Sequence, residues 1–291
     1  MTLFDPEPLA PTPAGPGSES AGPGPESAGP PAGAVRLRLV VAYDGKDFRG
    51  FASQPGQRTV AGELSRAIST FAGHPLAHLV CAGRTDAGVH ASGQVVHLDV
   101  APGLDLGALQ KAVNSMLAPD IVVRCVDAAP EGFDARHSAK SRRYRYLVLE
   151  SPFPDPLLSG LVWTVKGPLD LRAMSAAADA LVGEHDFRAF CRRAPGADPG
   201  DKITRVVLDA RWSLEHPDEP ELDSSSRLLR FDVEALSFCH QMVRSIVGVL
   251  VDVGRGKRPA SDVHWLLTSG DRSLACEPAP ANGLCLVGVR Y

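Results

Sequence analysis

The sequence predicts an α+β fold made of two successive halves whose strands are mainly antiparallel. Stretches in which apolar and polar residues alternate predict half-buried strands, and apolar residues three or four positions apart predict helices packed against them. In each half of the 291-residue chain, a strand is followed by a helix and further strands. A chain of this length can bury one large core or two medium ones. The mixture of segments favours the α+β class.

The first half, residues 35–132, opens with a strand in which every second residue from Val35 to Tyr43 is apolar. Thr59 is a suitable N-cap for the helix that follows. A second helix ends near Pro119, before a strand at 121–126. The apolar helix positions are Leu64, Ala67, Ile68 and Phe71 in the first helix, and Leu106, Leu109, Val113, Met116 and Leu117 in the second.

The second half, residues 133–291, repeats this arrangement. Residues 143–149 form a predicted strand, and a helix over 171–182 is expected to end at Gly183. The remaining predicted elements are strands at 203–214, 228–235 and 284–291, a long helix with an apolar face from Met242 to Val253, and a short helix around 263–267.

Two acidic segments account for the formal net charge of −4. Residues 1–34 are rich in Pro, Gly and Ala, so they bury too little apolar area to offset ordering entropy, and we predict a disordered tail. Neither this tail nor residues 214–223 contain Lys or Arg. Basic residues are in modest excess elsewhere, which is compatible with a basic cleft without proving a nucleic-acid partner.

The composition also predicts the cellular compartment. No apolar run approaches the roughly 20 residues needed to span a membrane, and the N-terminus does not resemble a signal peptide. The six cysteines form no C-x-x-C pair, which argues against a zinc site or a disulfide framework and fits a reducing compartment. We expect a cytoplasmic protein without a membrane segment or a bound metal.

The most informative stretch is residues 83–91, GRTDAGVHA. It places Asp86 between two glycines and two residues after Arg84, in a loop between the apolar runs 79–82 and 94–98. Glycines permit close approach of a substrate, and an arginine can pair with a carboxylate or a phosphate. Such a loop can present one ionised carboxylate as a nucleophile or general base. Locally, an Asp-Gly hairpin turn with a solvated arginine fits equally well.

This stretch resembles the catalytic signature of the TruA family of tRNA pseudouridine synthases. Four further blocks along residues 35–291 resemble that family's motifs in the same order. The chain departs at Phe51-Ala52, where the family commonly has Trp-Gln. The four blocks are Tyr43-Asp44-Gly45 with Phe48, Gly50, Phe51 and Gln54; Arg142 to Tyr146; Phe238 to Arg244 with Ile246, Val247 and Gly248; and Gly283 to Val287.

The resemblance implies two α/β subdomains that meet in an extended central sheet with a catalytic cleft. It also implies an isomerase that converts uridines at positions 38, 39 and 40 of the tRNA anticodon stem-loop to pseudouridine, without metal or redox cofactor. A homodimer in which both subunits contact the tRNA is a further expectation from the family.

The resemblance also assigns roles to single residues. Asp86 is implied as the catalytic carboxylate, and Arg244 as the charge partner that offsets the cost of burying it. Without the resemblance, Arg244 would be interpreted as a solvated residue beside an apolar helix face. Tyr144 is implied as the residue that stacks on the target base and assists proton transfer at C5. A core tyrosine is the simpler interpretation of such a position, and it fits Tyr146 better.

Other basic residues are candidates for RNA contacts. Arg84 is expected to enter the space left when the target nucleotide leaves the stem. Lys140, Arg142 and Arg143 are candidate contacts to backbone phosphates, and solvated surface charge is the alternative for each. A metal site at His74 and His78 is not expected, because these residues lie in a loop on either side of Pro75.

Two other functions are compatible with parts of this pattern. One is an RNA-binding protein without chemistry, in which Asp86 is a turn residue; the combination of Asp86, Tyr144 and Arg244 counts against it. The other is a nucleoside hydrolase, which usually needs two carboxylates in one site or a metal. For a synthase, the sequence leaves open whether Asp86 attacks C6 or C1′ or removes a proton from C2′.

Overall fold

The computed structural model describes residues 33–76, 78–193, 200–215 and 226–291, together with Gly196 and Asp198. Within these ranges the chain forms ten β-strands and five α-helices. The strands are β1 (Val35–Tyr43), β2 (Leu79–Cys81), β3 (His90–Val100), β4 (Ile121–Ala128), β5 (Ser141–Glu150), β6 (Trp163–Val165), β7 (Gly183–Asp186), β8 (Thr204–Glu215), β9 (Arg227–Ala235) and β10 (Leu284–Arg290). The helices are α1 (Val60–Ala72), α2 (Leu106–Leu117), α3 (Leu171–Asp179), α4 (Met242–Gly254) and α5 (Asp262–Ser269).

One sheet joins the two halves of the chain. Its strand order is β4-β1-β3-β10-β5-β9-β8-β7, with β2 paired to β3 and β6 paired to β5. The β3–β10 and β5–β6 pairs are parallel and the other pairs are antiparallel. The last strand, β10, lies between β3 of the first half and β5 of the second, so that Cys285 is opposite both His90 and Arg145. The predicted α+β class with an extended, mainly antiparallel sheet is confirmed.

The main core lies between the sheet and the helices. Alternate residues of β1, including Leu39 and Val41, are buried in one cluster with Leu64 of α1 and with residues of α4. Val40 points to the opposite face of the sheet and packs against a smaller cluster around Phe133. The alternation that predicted β1 therefore separates two buried faces, of which the helix-bearing face is the larger.

Capping side chains fix the beginnings of three helices. The Thr59 hydroxyl accepts a hydrogen bond of 3.3 Å from the Gly62 N–H, which confirms the predicted N-cap of α1. Asp105 and Asp170 cap α2 and α3 in the same way. Each cap satisfies an N–H that has no partner within the helix itself.

Helix α3 is shorter than predicted. It ends at Asp179, and Gly183 begins β7 instead of terminating the helix. Gly183 has φ of +112°, a backbone conformation that fits glycine in a helix cap or in an irregular strand start, so its presence alone misled the prediction. Strands β6 and β7 were not predicted, because three and four residues are too few to show a periodic pattern.

A disulfide between Cys191 and Cys239 corrects the expectation that the cysteines are free thiols. The two residues are 48 positions apart and their Cα atoms are separated by 5.8 Å. Their pairing depends on tertiary structure, which brings the segment after β7 against the loop between β9 and α4, so sequence spacing could not reveal it. The other four cysteines are free.

Two predictions concern segments that the structure does not describe. The predicted disordered tail, residues 1–34, lies outside the described residues except for its last two positions, and residues 216–225 of the acidic loop lie outside them altogether. Among the described residues, none of the helices has the length and apolar character needed to cross a membrane.

Candidate active site

Asp86 lies in the loop that connects β2 to β3 and is bound by two side chains from the second half of the chain. Its Oδ2 atom is 3.4 Å from Nη1 of Arg244, and its Oδ1 atom is 3.3 Å from Nε2 of His240. The Asp86 side chain is 27% exposed, so its carboxylate is partly enclosed and still reachable from solvent. The arrangement places one nitrogen group against each carboxylate oxygen at a partly exposed site.

Arg244 is held in the first turn of α4 by contacts on both sides. Its Nε donates a hydrogen bond of 2.7 Å to the carbonyl oxygen of Ala279, and its own carbonyl oxygen accepts one of 2.9 Å from the Ala279 N–H. The side chain is 18% exposed. These bonds leave Nη1 directed at Asp86, as the resemblance implied.

Tyr144 lies on β5, on the face that carries the main core. It is 7% exposed, and its ring packs edge-on against Phe238 with centroids 5.1 Å apart. Its hydroxyl faces Gly83 of the Asp86 loop, where an added Cβ would lie 3.6 Å away. Burial, with the negative charge of Asp86 among the lesser causes, raises the pKa of Tyr144 well above its usual value, so the side chain is a neutral phenol.

A buried polar network lies beneath the Asp86 loop. Nε2 of Gln94 donates hydrogen bonds to the carbonyl oxygen of Gly83, at 2.7 Å, and to the hydroxyl of Tyr43, at 3.4 Å. The Tyr43 hydroxyl in turn shares a hydrogen bond of 2.7 Å with the hydroxyl of Thr85. All three side chains are almost fully buried. The network therefore fixes residues 83 and 85, on the N-terminal side of the carboxylate, in a dry environment.

The Tyr43–Phe51 segment supports the same loop through its backbone. The Phe51 N–H donates to the Thr85 carbonyl oxygen at 3.0 Å, and the Gly88 N–H donates to the Phe48 carbonyl oxygen at 3.3 Å. Gly50 has φ of +94°, and a Cβ there would lie 2.9 Å from the Thr85 oxygen. Only glycine fits this approach, which explains its place in the motif.

Arg142 does not lie where the phosphate-contact prediction needs it. It is 9% exposed and donates five hydrogen bonds to carbonyl oxygens. Two of these bonds, at 3.2 and 2.9 Å, go to Ala82 at the start of the Asp86 loop. Strand alternation explains the correction, because Arg142 shares its face of β5 with the buried Tyr144. Its guanidinium supports the loop and is not available to RNA.

The other predicted basic residues are exposed. No hydrogen bond or ion pair of the Arg84 side chain occurs within the described part of the chain, and Lys140 is also at the surface. Arg143 is exposed on the face of β5 opposite to Tyr144. Arg84 therefore lies on the loop of the carboxylate, whereas Arg143 faces away from it.

Tyr146 is a core residue, as its interpretation from the sequence proposed. It is fully buried, and its hydroxyl donates a hydrogen bond of 2.8 Å to the carbonyl oxygen of Pro280. Sequence reasoning missed His240 and Gln94 as parts of the site. Both lie in stretches quoted for other reasons, and their partners Asp86 and Gly83 are too distant in sequence to suggest a contact.

Among the described residues there is no group of three or more His, Cys, Asp or Glu side chains that could hold a metal ion. The ring of His74 contacts the Pro75 carbonyl oxygen. The ring of His90 contacts backbone groups of Gly45 and Gly160, and its Nδ1 also lies 3.1 Å from Oδ1 of Asp44.

Comparison with known proteins identifies the family. A family model described as tRNA pseudouridine synthase matches residues 39–138 and 177–291. The chain belongs to this family. The matched segments contain Asp86, His240 and Arg244, and Tyr144 lies between them. Membership of the family makes the chain an isomerase of the pseudouridine synthase type.

Individual relatives are similar over most of their length. The chain is 46% identical over 262 residues to tRNA pseudouridine synthase A of Frankia casuarinae, covering 89% of this chain and 90% of that protein. It is 43% identical over 257 residues to tRNA pseudouridine synthase A of Aromatoleum aromaticum, covering 88% and 92%. The match to each relative therefore extends well beyond the Asp86 loop.

Proposed function

We propose that this protein isomerises uridines at positions 38, 39 and 40 of the tRNA anticodon stem-loop to pseudouridine, with Asp86 as the catalytic carboxylate and without a cofactor. The observation that carries the proposal is the contact between Asp86 and Arg244, with the hydroxyl of Tyr144 beside Gly83 of the same loop. Asp86 and Arg244 are 158 positions apart and come from the two halves, 35–132 and 133–291. Family membership supplies the reaction class, and this constellation supplies the residues.

The chemistry explains why such a site suffices. Isomerisation breaks the bond between ribose C1′ and N1 of uracil and forms a bond between C1′ and C5. The proton on C5 is then lost and N1 gains one, so the atoms balance and no net oxidation or reduction occurs. The detached base must be held close to the ribose while it rotates, since an escaping base would leave an abasic site.

The named residues divide these tasks. Asp86 attacks C6 or C1′ or removes the proton from C2′, and these three routes remain alternatives. The neutral phenol of Tyr144 lies beside the loop of this carboxylate. Its ring is 7% exposed, so we propose that it stacks on the detached base only after RNA binding opens the site around it. Arg84, exposed on the same loop, is the candidate to fill the space left by the extruded nucleotide.

Lys140 and Arg143 remain proposed phosphate contacts of lesser weight, and the buried Arg142 is withdrawn from this group. We also propose a cytoplasmic homodimer whose two subunits both contact the tRNA. This part of the proposal rests on the family resemblance. Light scattering of the purified full chain tests it directly, since a monomer at micromolar concentration would exclude the dimer.

Mapping pseudouridine in cellular tRNA tests the proposed reaction and its positions. In cells that lack the protein, we expect unmodified uridines at positions 38, 39 and 40, and pseudouridine there once the gene is restored. Unchanged modification at these positions would overturn the assignment. Release of free uracil from tRNA by the purified protein would instead indicate a hydrolase.

A further inference from the structure

His240 binds the oxygen of Asp86 that Arg244 leaves unbound. Nε2 of His240 is 3.3 Å from Oδ1, whereas Nη1 of Arg244 is 3.4 Å from Oδ2. Each carboxylate oxygen thus has its own nitrogen partner. The contact brings Nε2 of His240, at the tip of the ring, to the carboxylate.

The backbone next to His240 is held in an uncommon conformation. Gln241 has φ of +63°, and no other non-glycine residue in the described ranges has a positive φ. For a residue with a side chain this left-handed conformation is energetically unfavourable. Such a cost persists where the surrounding structure enforces it, and it often does so at functional sites.

The surroundings enforce it from three directions. The carbonyl oxygen of His240 accepts a hydrogen bond of 2.9 Å from the Arg192 N–H, and the preceding residue, Cys239, is bonded to Cys191. Nη2 of Arg272 donates to Oε1 of Gln241 at 3.4 Å. These contacts fix the main chain on both sides of His240 and so determine where its imidazole points.

The exposure of the imidazole argues against a packing role. The His240 side chain is 50% exposed, so it contributes little to the core, and its contact with Asp86 is the interaction that its fixed backbone serves. A residue that only covered the loop would not need a strained backbone next to it.

We propose that His240 is a positioning residue for Asp86. Its Nε2–H binds Oδ1 and, together with Arg244, sets the rotation of the carboxylate that faces the uridine. The proposal rests on the proposed function, because it assumes that Asp86 acts on the substrate. With Arg244 as its only partner, the carboxylate could change its rotation and still contact Nη1. The second contact, with His240, restricts that rotation.

Two substitutions test this role against each other. His240→Leu removes the imidazole nitrogens and leaves an apolar side chain of roughly similar size. His240→Gln places an amide N–H close to the position of Nε2. We expect single-turnover conversion of an anticodon stem-loop RNA to fall about tenfold or more for His240→Leu, and to stay within about threefold of wild type for His240→Gln. The Kd for the RNA, measured separately, should change less than about twofold in both.

Controls separate this inference from its alternatives. His264→Leu replaces an exposed histidine on α5 and should convert at the wild-type rate. If His240→Leu does not fold, as thermal unfolding would show, His240→Asn takes its place. The asparagine amide is too short to reach Oδ1 of Asp86, so single-turnover conversion by His240→Asn should be as slow as expected for His240→Leu.

The outcomes have distinct meanings. A wild-type rate for His240→Leu would overturn the positioning role, and so would a raised Kd with an unchanged rate, which would mark His240 as an RNA contact. A rate for His240→Gln as low as that for His240→Leu would also overturn it. Asp86→Asn, assayed beside them, tests the proposed function separately: if it stays active, the proposed function fails, whatever His240 does.

Discussion

Two groups of residues hold Asp86, and they differ in burial and charge. Beneath the carboxylate, Tyr43, Thr85 and Gln94 are buried and uncharged. Gln94 binds the backbone of the loop at Gly83, and Tyr43 binds the hydroxyl of Thr85 within the loop. Beside the carboxylate, the partly exposed side chains of His240 and Arg244 each place a nitrogen against one of its oxygens. The first group, the loop support, sets where the loop lies. The second, the carboxylate pair, sets the charge and rotation of the acid.

This difference in burial predicts that substitutions in the two groups affect stability and reaction rate differently. A buried hydrogen bond that loses one partner leaves an unsatisfied polar group, so changes in the loop support should lower stability and rate together. A partly exposed pair can be re-solvated by water when one partner is lost. Changes in the carboxylate pair should therefore lower the rate with little effect on folding.

The largest effect is expected for Arg244→Met in the carboxylate pair. Loss of the cation leaves Oδ2 of Asp86 without its partner, and we expect single-turnover conversion to fall about 100-fold or more. Arg255→Met, at the other end of α4, serves as the control, because Arg255 contacts Asp252 and Trp163 far along the helix. Near-wild-type conversion by Arg244→Met, with conversion by Arg255→Met unchanged, would show that the cation is not needed.

The next effect is expected for Gln94→Leu in the loop support. The substitution leaves the Gly83 carbonyl oxygen without its donor, so the free energy of unfolding should fall by about 1–3 kcal/mol. The conversion rate should fall about tenfold, because the loop is no longer fixed. Urea denaturation and single-turnover assays measure the two quantities.

A second glutamine provides a matched control for Gln94. Nε2 of Gln110 donates a hydrogen bond of 3.0 Å to the Val123 carbonyl oxygen, at a distance from the Asp86 loop. Nδ2 of Asn114 donates to the same oxygen at 3.0 Å, so Gln110→Leu should lower stability less than Gln94→Leu does and leave the rate of folded protein unchanged. Equal rate losses in the two variants would remove the distinction between loop support and general stability.

The smallest effect is expected for Tyr43→Phe. Burial raises the pKa of the Tyr43 hydroxyl, so it is neutral, and its removal deletes two neutral hydrogen bonds, one of 2.7 Å with Thr85 and a longer one of 3.4 Å from Gln94. We expect a loss of about 1 kcal/mol in stability and a rate decrease of about twofold to fivefold. Tyr291→Phe deletes a comparable bond, of 2.8 Å to the Ala135 carbonyl oxygen, and should lower stability alone. A larger rate loss for Tyr291→Phe would contradict this assignment.

The fold was accessible from the sequence where patterns are long and local. Alternation along β1 and β5 and the apolar faces of α1, α2 and α4 predicted these elements, and the resemblance predicted their union in one sheet. The position of β10 between β3 and β5 could not be derived from periodicity, because pairing is a property of strands far apart in the sequence.

In the candidate site, too, local features could be predicted from the sequence and contacts between distant segments could not. Asp86 stands out in the sequence as a carboxylate between glycines. Its contact with His240 cannot be derived in this way, because residue 240 lies 154 positions after residue 86, in a loop joined to Cys191 through Cys239. Arg142 was assigned to the surface because of its charge, although its parity with Tyr144 on β5 already placed it inside. Charge alone is a poor guide to exposure where carbonyl oxygens can satisfy a guanidinium.

The most direct test of the central claim is single-turnover conversion of tRNA by Asp86→Asn, with the Kd for tRNA and the thermal unfolding midpoint measured on the same preparation. The amide keeps the shape of the side chain and removes its charge. The account predicts unchanged folding, a Kd within about twofold of wild type, and no detectable pseudouridine. Pseudouridine formed at the wild-type rate by this variant would contradict it.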